Sequence, residues 1–185
     1  MASFFLLNLI TMKFHYGSDK LDVTTATQLA EGKIKGVFNK TTLEKIQKSH
    51  EHIEHMVKAN KTVYGVTTGF GILAATKISD EDAATLQHKI LQSHSVGVGN
   101  PVPQDIARLM LITKVHALSQ GFSGVQFSTI ERILWHLENN IIPVVPEKGS
   151  VGASVTWLRW LICSYLLLDW VKYFTKGQNT KRKRS

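Results

Sequence analysis

The stretch IIPVVPEKGSVGAS, residues 141–154, is a connecting segment that is too apolar to be a surface linker. It follows a predicted helix over 128–138, and its two prolines and two glycines do not allow that helix to continue. Its first residues are aliphatic, and such side chains are usually buried in a folded domain. We therefore predict a buried, Gly-rich loop between helices.

The sequence upstream of this loop predicts further helices joined by loops of the same kind. Apolar residues recur three and four positions apart, the spacing of one helix face, over 41–59, 79–94, 104–119 and 128–138. Thr41 with Glu44, and Ser128 with Glu131, form the S/T-x-x-E pattern that caps a helix. The sequence has no internal repeat and no heptad pattern. We therefore expect a mainly α fold with Gly-rich loops.

The last 31 residues, 155–185, differ in composition from the rest of the chain. They hold 7 of the 22 Lys and Arg residues but only 1 of the 14 Asp and Glu, so they carry +6 of the net charge of +8. They also hold three of the four Trp residues and Cys163, the lone Cys, which excludes an internal disulfide. An unbroken apolar run over 160–171 predicts a helix without a polar face. This composition indicates that the body, 12–154, and the tail, 155–185, do not belong together.

The first 11 residues are apolar but lack the basic lead and the cleavage site of a secretion signal, and they are too short to span a bilayer. We interpret residues 1–11 as a spurious extension ahead of a true start at Met12, and we expect a cytoplasmic protein. The terminal KRKRS, residues 181–185, is interpreted as a solvated basic tail, so neither a nucleic acid nor a membrane is expected as a partner. A basic module that binds nucleic acid or a membrane is the alternative.

The His-rich stretch HEHIEH, residues 50–55, places His52 and His55 one helical turn apart. It is not an H-E-x-x-H motif, and no third ligand follows at a suitable spacing. The polar face of an amphipathic helix explains it better, so no metal site is expected.

Three loops carry polar side chains among glycines. Tyr64 lies in VYGVTTGFG, residues 63–71, and His94 lies in SHSVGVG, residues 93–99. Ala153 and Ser154 lie in the loop 141–154. Taken alone, the first two are typical of a core tyrosine beside a turn and of a helix-capping histidine. Three such loops in this order form a much more specific pattern than any one of them.

Over about residues 13–154 the chain resembles the aromatic amino-acid ammonia-lyases, and among them the histidine-specific branch. Four strings carry this resemblance: VYGVTTGFG, LQHKILQSHSVGVGNPVP, ALSQGFSGV and IIPVVPEKGSVGAS. The resemblance implies the N-terminal helical portion of the ammonia-lyase (fumarase/aspartase-like) fold, and a homotetramer with active sites shared between subunits. It also implies elimination of ammonia from L-histidine to give urocanate. A phenylalanine or tyrosine ammonia-lyase relative is an alternative, although Ser93–His94 resembles the histidine enzymes more.

The family's cofactor, methylidene-imidazolone (MIO), forms from the enzyme's own Ala-Ser-Gly backbone. By match, Ala153 and Ser154 are the first two residues of that tripeptide, Tyr64 is the base that removes the β-proton, and His94 helps to bind the imidazole of the substrate. Val155 stands where the family has Gly, and its β-branched side chain crowds the amide that must close the ring. The ring is therefore not expected to form, and the chain as written is expected to be inactive.

A change of reading frame accounts for the tail. Residues 155–163, VTWLRWLIC, can be back-translated into DNA with one choice of codons for each residue. When one G nucleotide is added in front of that DNA and it is translated again, the product is GDLAPLAHL, which is how the family continues after Ala-Ser. The codon for Trp is fixed, which leaves little freedom at those positions. We therefore interpret 155–185 as out-of-frame. The main alternative is a non-catalytic truncated subunit that joins intact subunits through its helices.

Overall fold

A computed structural model gives the fold, and it describes residues 12–59, 61–64, 66–69, 85, 89 and 97–149. It also gives the backbone course of 173–175 and 178–180. Within these residues the longest elements are helices, so the expected mainly α class is confirmed.

The described part begins with a small βαβ unit that the sequence pattern does not predict. Strand β1, Lys13–His15, runs parallel to β2, Lys35–Val37, with helix α1, Val23–Ala30, between them. Asp22 caps α1, because its carboxylate accepts a hydrogen bond from Thr25 N at 2.8 Å. The unit packs its α1 side on the helical core described below.

Helix α2, Lys40–Lys58, confirms the prediction over 41–59 to within one residue at each end. The predicted capping box is wrong. Asn39 caps the helix by accepting from Thr42 N at 2.8 Å, while the Glu44 carboxylate lies 3.8 Å from Lys40 Nζ. The N-cap therefore lies two residues earlier than the sequence pattern suggested, and Asn39 in extended conformation satisfies an N–H group of the first helical turn.

Helices α3, Gln104–Leu118, and α4, Phe127–Glu138, form the centre of the core and confirm the predictions over 104–119 and 128–138. The predicted cap at Ser128 is wrong, because α4 begins at Phe127, and Gln126 precedes it without a side-chain capping bond. The two helices bury one apolar stripe each: Ala107, Leu111, Ile112, Val115 and Leu118 on α3, and Ile130, Ile133 and Leu137 on α4.

The loop 141–154, predicted as a buried, Gly-rich connection, contains two short strands. These are β4, Ile141–Pro143, and β5, Pro146–Lys148. The predicted burial is confirmed for the first part of the loop, where Ile142 and Val145 are fully buried, whereas residues 147–149 are exposed. Strand β5 pairs antiparallel with β3, Val98–Pro101, and β4 pairs antiparallel with β6, Tyr173–Thr175, which in turn pairs with β7, Gln178–Thr180.

Two predicted helices fall mainly outside the described residues. Of the range 79–94, the structure describes Thr85 and Lys89, and both are helical. The run over 160–171 lies outside the described residues altogether.

Candidate active site

Tyr64 lies on a tight turn directly after α2. Val63 N donates to Thr67 Oγ1 at 2.8 Å, and the Thr67 hydroxyl donates to Lys61 O at 2.7 Å. The backbone N–H groups of Val66 and Thr67 also donate to Val63 O, at 3.1 and 3.0 Å. The Thr67 side chain therefore closes the turn from within, and the Tyr64 side chain is 62% exposed.

The pairing of β3 with β5 brings together the ends of the other two candidate loops. The strands are antiparallel, and Val98, the first residue of β3, pairs with Lys148, the last residue of β5. The segment before Val98 contains His94, and the segment after Lys148 contains Ala153 and Ser154. Because the strands run in opposite directions, both segments leave the sheet at the same end.

Glycines allow strand β3 and the segment before it to lie close to strand β5. A Cβ at Gly97 would lie 2.7 Å from Pro146 Cγ, inside the normal contact distance. Gly99 has a φ of +90°, which side-chain-bearing residues rarely adopt, and the register between β3 and β5 shifts between Val98 and Pro101. The glycine content of SHSVGVG thus serves the close approach of the two loops.

Tyr64 is the only predicted site residue within the described part of the chain. His94, Ala153, Ser154 and Val155 lie outside the described residues, so their mutual arrangement stays a prediction. The structure places Tyr64 on a fixed turn and shows which strands lead to the other loops.

The His-rich stretch lies on α2, with His52 and His55 exposed. His50 instead faces the loop before α4, where its Nδ1 lies 2.9 Å from Gly124 O. Across the described residues, no group of three or more His, Cys, Asp or Glu side chains is arranged to hold a metal ion. None of the described helices is long and apolar enough to cross a membrane.

The fold places three titratable groups, which no sequence motif marks, in partly or fully buried surroundings. Burial, reinforced by the charge of Glu138, raises the pKa of Tyr16 to about 12. Burial lowers the pKa of Arg108, and it lowers that of His116 against a smaller opposing effect of Asp19. No local motif marks these residues, because each acquires its surroundings from segments far away in the chain.

Tyr16 and Arg108 line a cleft of about 550 Å³ between the β1–β2 sheet and helices α1, α3 and α4. Lys35 and Glu138 add opposite charges to the same wall. A second groove, of about 720 Å³, lies between α2 and the loop that carries Phe122.

Comparison with known proteins relates most of this chain to lyases. The histidine ammonia-lyase of Caldanaerobacter subterraneus subsp. tengcongensis is 39% identical over 136 residues, which are 74% of this chain and 27% of that protein. That of Bacillus subtilis is 42% identical over 113 residues, 61% of this chain and 22% of that protein. The chain therefore spans about a quarter of the length of these relatives.

Solved structures show the same fold. Histidine ammonia-lyase from Trypanosoma cruzi superposes with a TM-score of 0.80 at 26% identity, over 92% of this chain and 32% of that one. Tyrosine aminomutase from Streptomyces globisporus gives a TM-score of 0.80 at 27% identity, over 93% and 32%. The sequence model of the family described as aromatic amino acid lyase matches residues 21–156. Since that match covers well over half of the 185 residues, this chain belongs to the aromatic amino acid lyase family.

Proposed function

We propose that residues 12–154 are the N-terminal part of a histidine ammonia-lyase, which converts L-histidine to trans-urocanate and ammonia. The curated relatives support this substrate, because they are named histidine ammonia-lyase at up to 44% identity. The structural observation that carries the proposal is the pairing of β3 with β5, which leads the His94 loop and the Ala153–Ser154 loop out of one end of the same sheet. The activity belongs to a longer chain that, as in the family, assembles as a cytoplasmic homotetramer.

In this proposal Tyr64 removes the β-proton of the substrate and His94 holds its imidazole ring. The turn around Tyr64 supports the first role, because it fixes the backbone while leaving the phenol largely exposed rather than packed in the core. A general base must reach the proton that it removes, and a side chain filling the core cannot do so.

The tripeptide Ala153-Ser154-Val155 does not fit the family's MIO group, whose ring requires Gly at the third position. Valine branches at Cβ and restricts its own backbone, which hinders the turn that ring closure needs. The chain as written is therefore proposed to be inactive. Residues 155–185 are proposed to be out-of-frame, a reading supported by their separate charge and by the family-like continuation after one restored nucleotide.

The first experiment assays the purified 185-residue chain for urocanate and for MIO absorbance. We expect neither, because Val155 replaces the required glycine and the chain spans only about a quarter of the length of its curated relatives. Formation of urocanate by the pure chain contradicts this proposal.

The second experiment restores one nucleotide before codon 155 with the natural downstream DNA in place. The product should be a long chain that deaminates L-histidine in preference to L-phenylalanine and L-tyrosine, whereas Val155→Gly in the short chain should restore nothing. A stop codon within a few dozen triplets contradicts the frame interpretation. Preference for phenylalanine or tyrosine contradicts the proposed substrate.

The repaired protein also tests the two side chains. Tyr64→Phe should lower turnover by about 10²–10⁴-fold, the usual contribution of general base catalysis, with unchanged circular dichroism. Trp135→Phe, at another partly exposed aromatic residue, is the control and should keep full turnover. His94→Ala should mainly weaken histidine binding. Full activity of Tyr64→Phe removes its assignment as the base.

A non-catalytic subunit that associates with intact lyase chains is the second candidate function. Large apolar side chains such as Val23, 84% exposed, and Phe122, 89% exposed, favour it, because such groups are often covered at interfaces. Co-expression with the repaired full-length chain separates the candidates. Co-purification in a fixed ratio supports the subunit role, and separate elution from a sizing column contradicts it.

A further inference from the structure

The cleft beside the β1–β2 sheet combines an apolar floor with charges of both signs. Its volume of about 550 Å³ lies within the range of small-molecule sites, about 300–1,000 Å³. Leu29, Ile112 and Leu137 contribute apolar side chains, and each of them is buried in the core. The cleft therefore has a fixed wall, because its floor is also the surface of the packed core.

Tyr16 directs an unpaired hydroxyl into this cleft. The residue is only 2% exposed, and its ring packs against Phe14 and Phe38 at centroid distances of 5.5 and 5.7 Å. Its Oη makes no hydrogen bond with a residue that the structure describes, although every fully enclosed side-chain N or O among the described residues has a partner. The hydroxyl is therefore accessible from the cleft and available to a ligand.

Arg108 places a fixed cation on the same wall. Its Nη1 donates to Leu137 O at 3.3 Å and its Nη2 donates to Asn140 Oδ1, which together hold the guanidinium plane. A guanidinium has five N–H groups, so further donors remain for a ligand. Arg108 is partly buried, and this burial lowers the pKa of its guanidinium. Partly desolvated charges bind an opposite charge more strongly than exposed ones do.

Lys35 and Glu138 complete the charged lining. Neither makes an ion pair with a residue in the described part of the chain. Glu138 lines the same cleft as Tyr16. The cleft thus has two cations and a hydroxyl that can bind a ligand carboxylate, and one carboxylate that can bind a ligand ammonium group.

We propose that this cleft binds a free α-amino acid with an apolar side chain. The ligand carboxylate is held by Arg108, the Tyr16 hydroxyl and Lys35, its ammonium by Glu138, and its side chain by the apolar floor. Tyr64 does not line this cleft, so the site is separate from the proposed base and does not depend on lyase activity.

Isothermal titration calorimetry of the 185-residue chain with L-leucine tests the proposal. We expect saturable binding in the millimolar range or tighter. The matched ligands 4-methylpentanoate, which lacks the ammonium, and 3-methylbutylamine, which lacks the carboxylate, should each bind at least about tenfold more weakly, as expected for loss of one charge-assisted hydrogen bond. Absence of binding by L-leucine, or equal binding by either truncated ligand, overturns the proposal.

Charge-matched variants locate the site. Glu138→Gln and Lys35→Gln should each weaken L-leucine binding by about tenfold. The controls are Glu131→Gln on the same helix and Lys13→Gln, whose residue pairs with Lys35 across the sheet, and both should bind as the parent does. Tyr16→Phe should weaken binding while its thermal unfolding is checked in parallel. If the site variants and their controls change L-leucine affinity equally, the assignment of the site is wrong, even if Tyr16→Phe fails to fold.

Discussion

His116 is a neutral hydrogen-bond acceptor that joins two distant parts of the chain. Gly17 N donates to its Nδ1 at 3.3 Å, and Gln120 Nε2 lies 3.1 Å from its Nε2. Its ring packs at 5.6 Å from that of Phe14. Protonation would place a hydrogen on Nδ1, so the bond from Gly17 would be lost together with the favourable burial of a neutral ring.

The first prediction is a loss of stability in mild acid that depends on His116. Burial lowers its pKa in the folded state below the unfolded value of about 6.5, so the unfolded state binds more protons. Its contribution to stability is present above that pH and declines as the pH falls. Urea unfolding at pH 7.5 and 5.5 should show a smaller decline for His116→Asn than for the parent chain. An identical decline in both would contradict this role.

The second prediction compares two glycines with similar backbone angles. Gly17 and Gly32 have φ values of +78° and +73°, but a Cβ at Gly17 would overlap Ser119 O, whereas nothing lies within 4 Å of one at Gly32. Gly32→Ala should cost about 1–2 kcal/mol of unfolding free energy from the left-handed backbone alone. Gly17→Ala should cost about 1–3 kcal/mol more from overpacking. Equal losses of unfolding free energy in the two variants would show that the contact with Ser119 does not contribute to the cost of Gly17→Ala.

At the scale of elements, the loop between α3 and α4 is attached to α2 by Gly124. Its N–H donates to Ser49 Oγ at 3.1 Å, its carbonyl oxygen lies 2.9 Å from His50 Nδ1, and a Cβ there would overlap Ile53. With a φ of +65°, Gly124 allows the loop backbone to lie directly on the helix. Backbone contacts of Gly124 therefore attach the loop to α2, while the Val125 side chain packs against the core.

The third prediction tests this attachment. Ser49→Ala removes the acceptor for Gly124 N–H and should cost about 1 kcal/mol of unfolding free energy, the usual value of one hydrogen bond. Amide exchange across the loop should become faster. Ser123→Ala, an exposed position in the same loop, is the control and should change neither quantity. Unchanged exchange in Ser49→Ala would mean that the loop is held by other contacts.

For the whole molecule, the buried apolar core of the described residues extends from Phe14 to Val145. The tail contributes the strands β6 and β7, and β6 pairs with β4 through three register positions. Among the described residues, this pairing places β6 along one edge of β4.

The fourth prediction is that a chain ending at residue 149 keeps its fold. Thermal unfolding followed by circular dichroism should remain cooperative, with a midpoint within a few degrees of the parent, because a change of 1 kcal/mol shifts a domain of this size by about 2–4 °C. Ile142→Ala in the parent chain provides the contrast, since its side chain is fully buried and its loss should cost about 2–5 kcal/mol. Loss of cooperative unfolding on removing the tail would assign it a structural role.

The sequence by itself determined the family, the mainly α class, and helices α2, α3 and α4 to within one residue at each end, because helical periodicity is a local property of one segment. It also predicted the burial of the aliphatic residues at the start of the loop 141–154, such as Ile142 and Val145. Only the tertiary structure decided the β1–α1–β2 unit, since strands of three residues are too short to show an alternating pattern. The same holds for the cap at Asn39, the start of α4 at Phe127, the acceptor role of His116 and the cleft around Tyr16 and Arg108. Some of these features depend on groups from distant segments of the chain. Others depend on packing, which selects one of several neighbouring residues as the start of a helix, and no local sequence pattern predicts either.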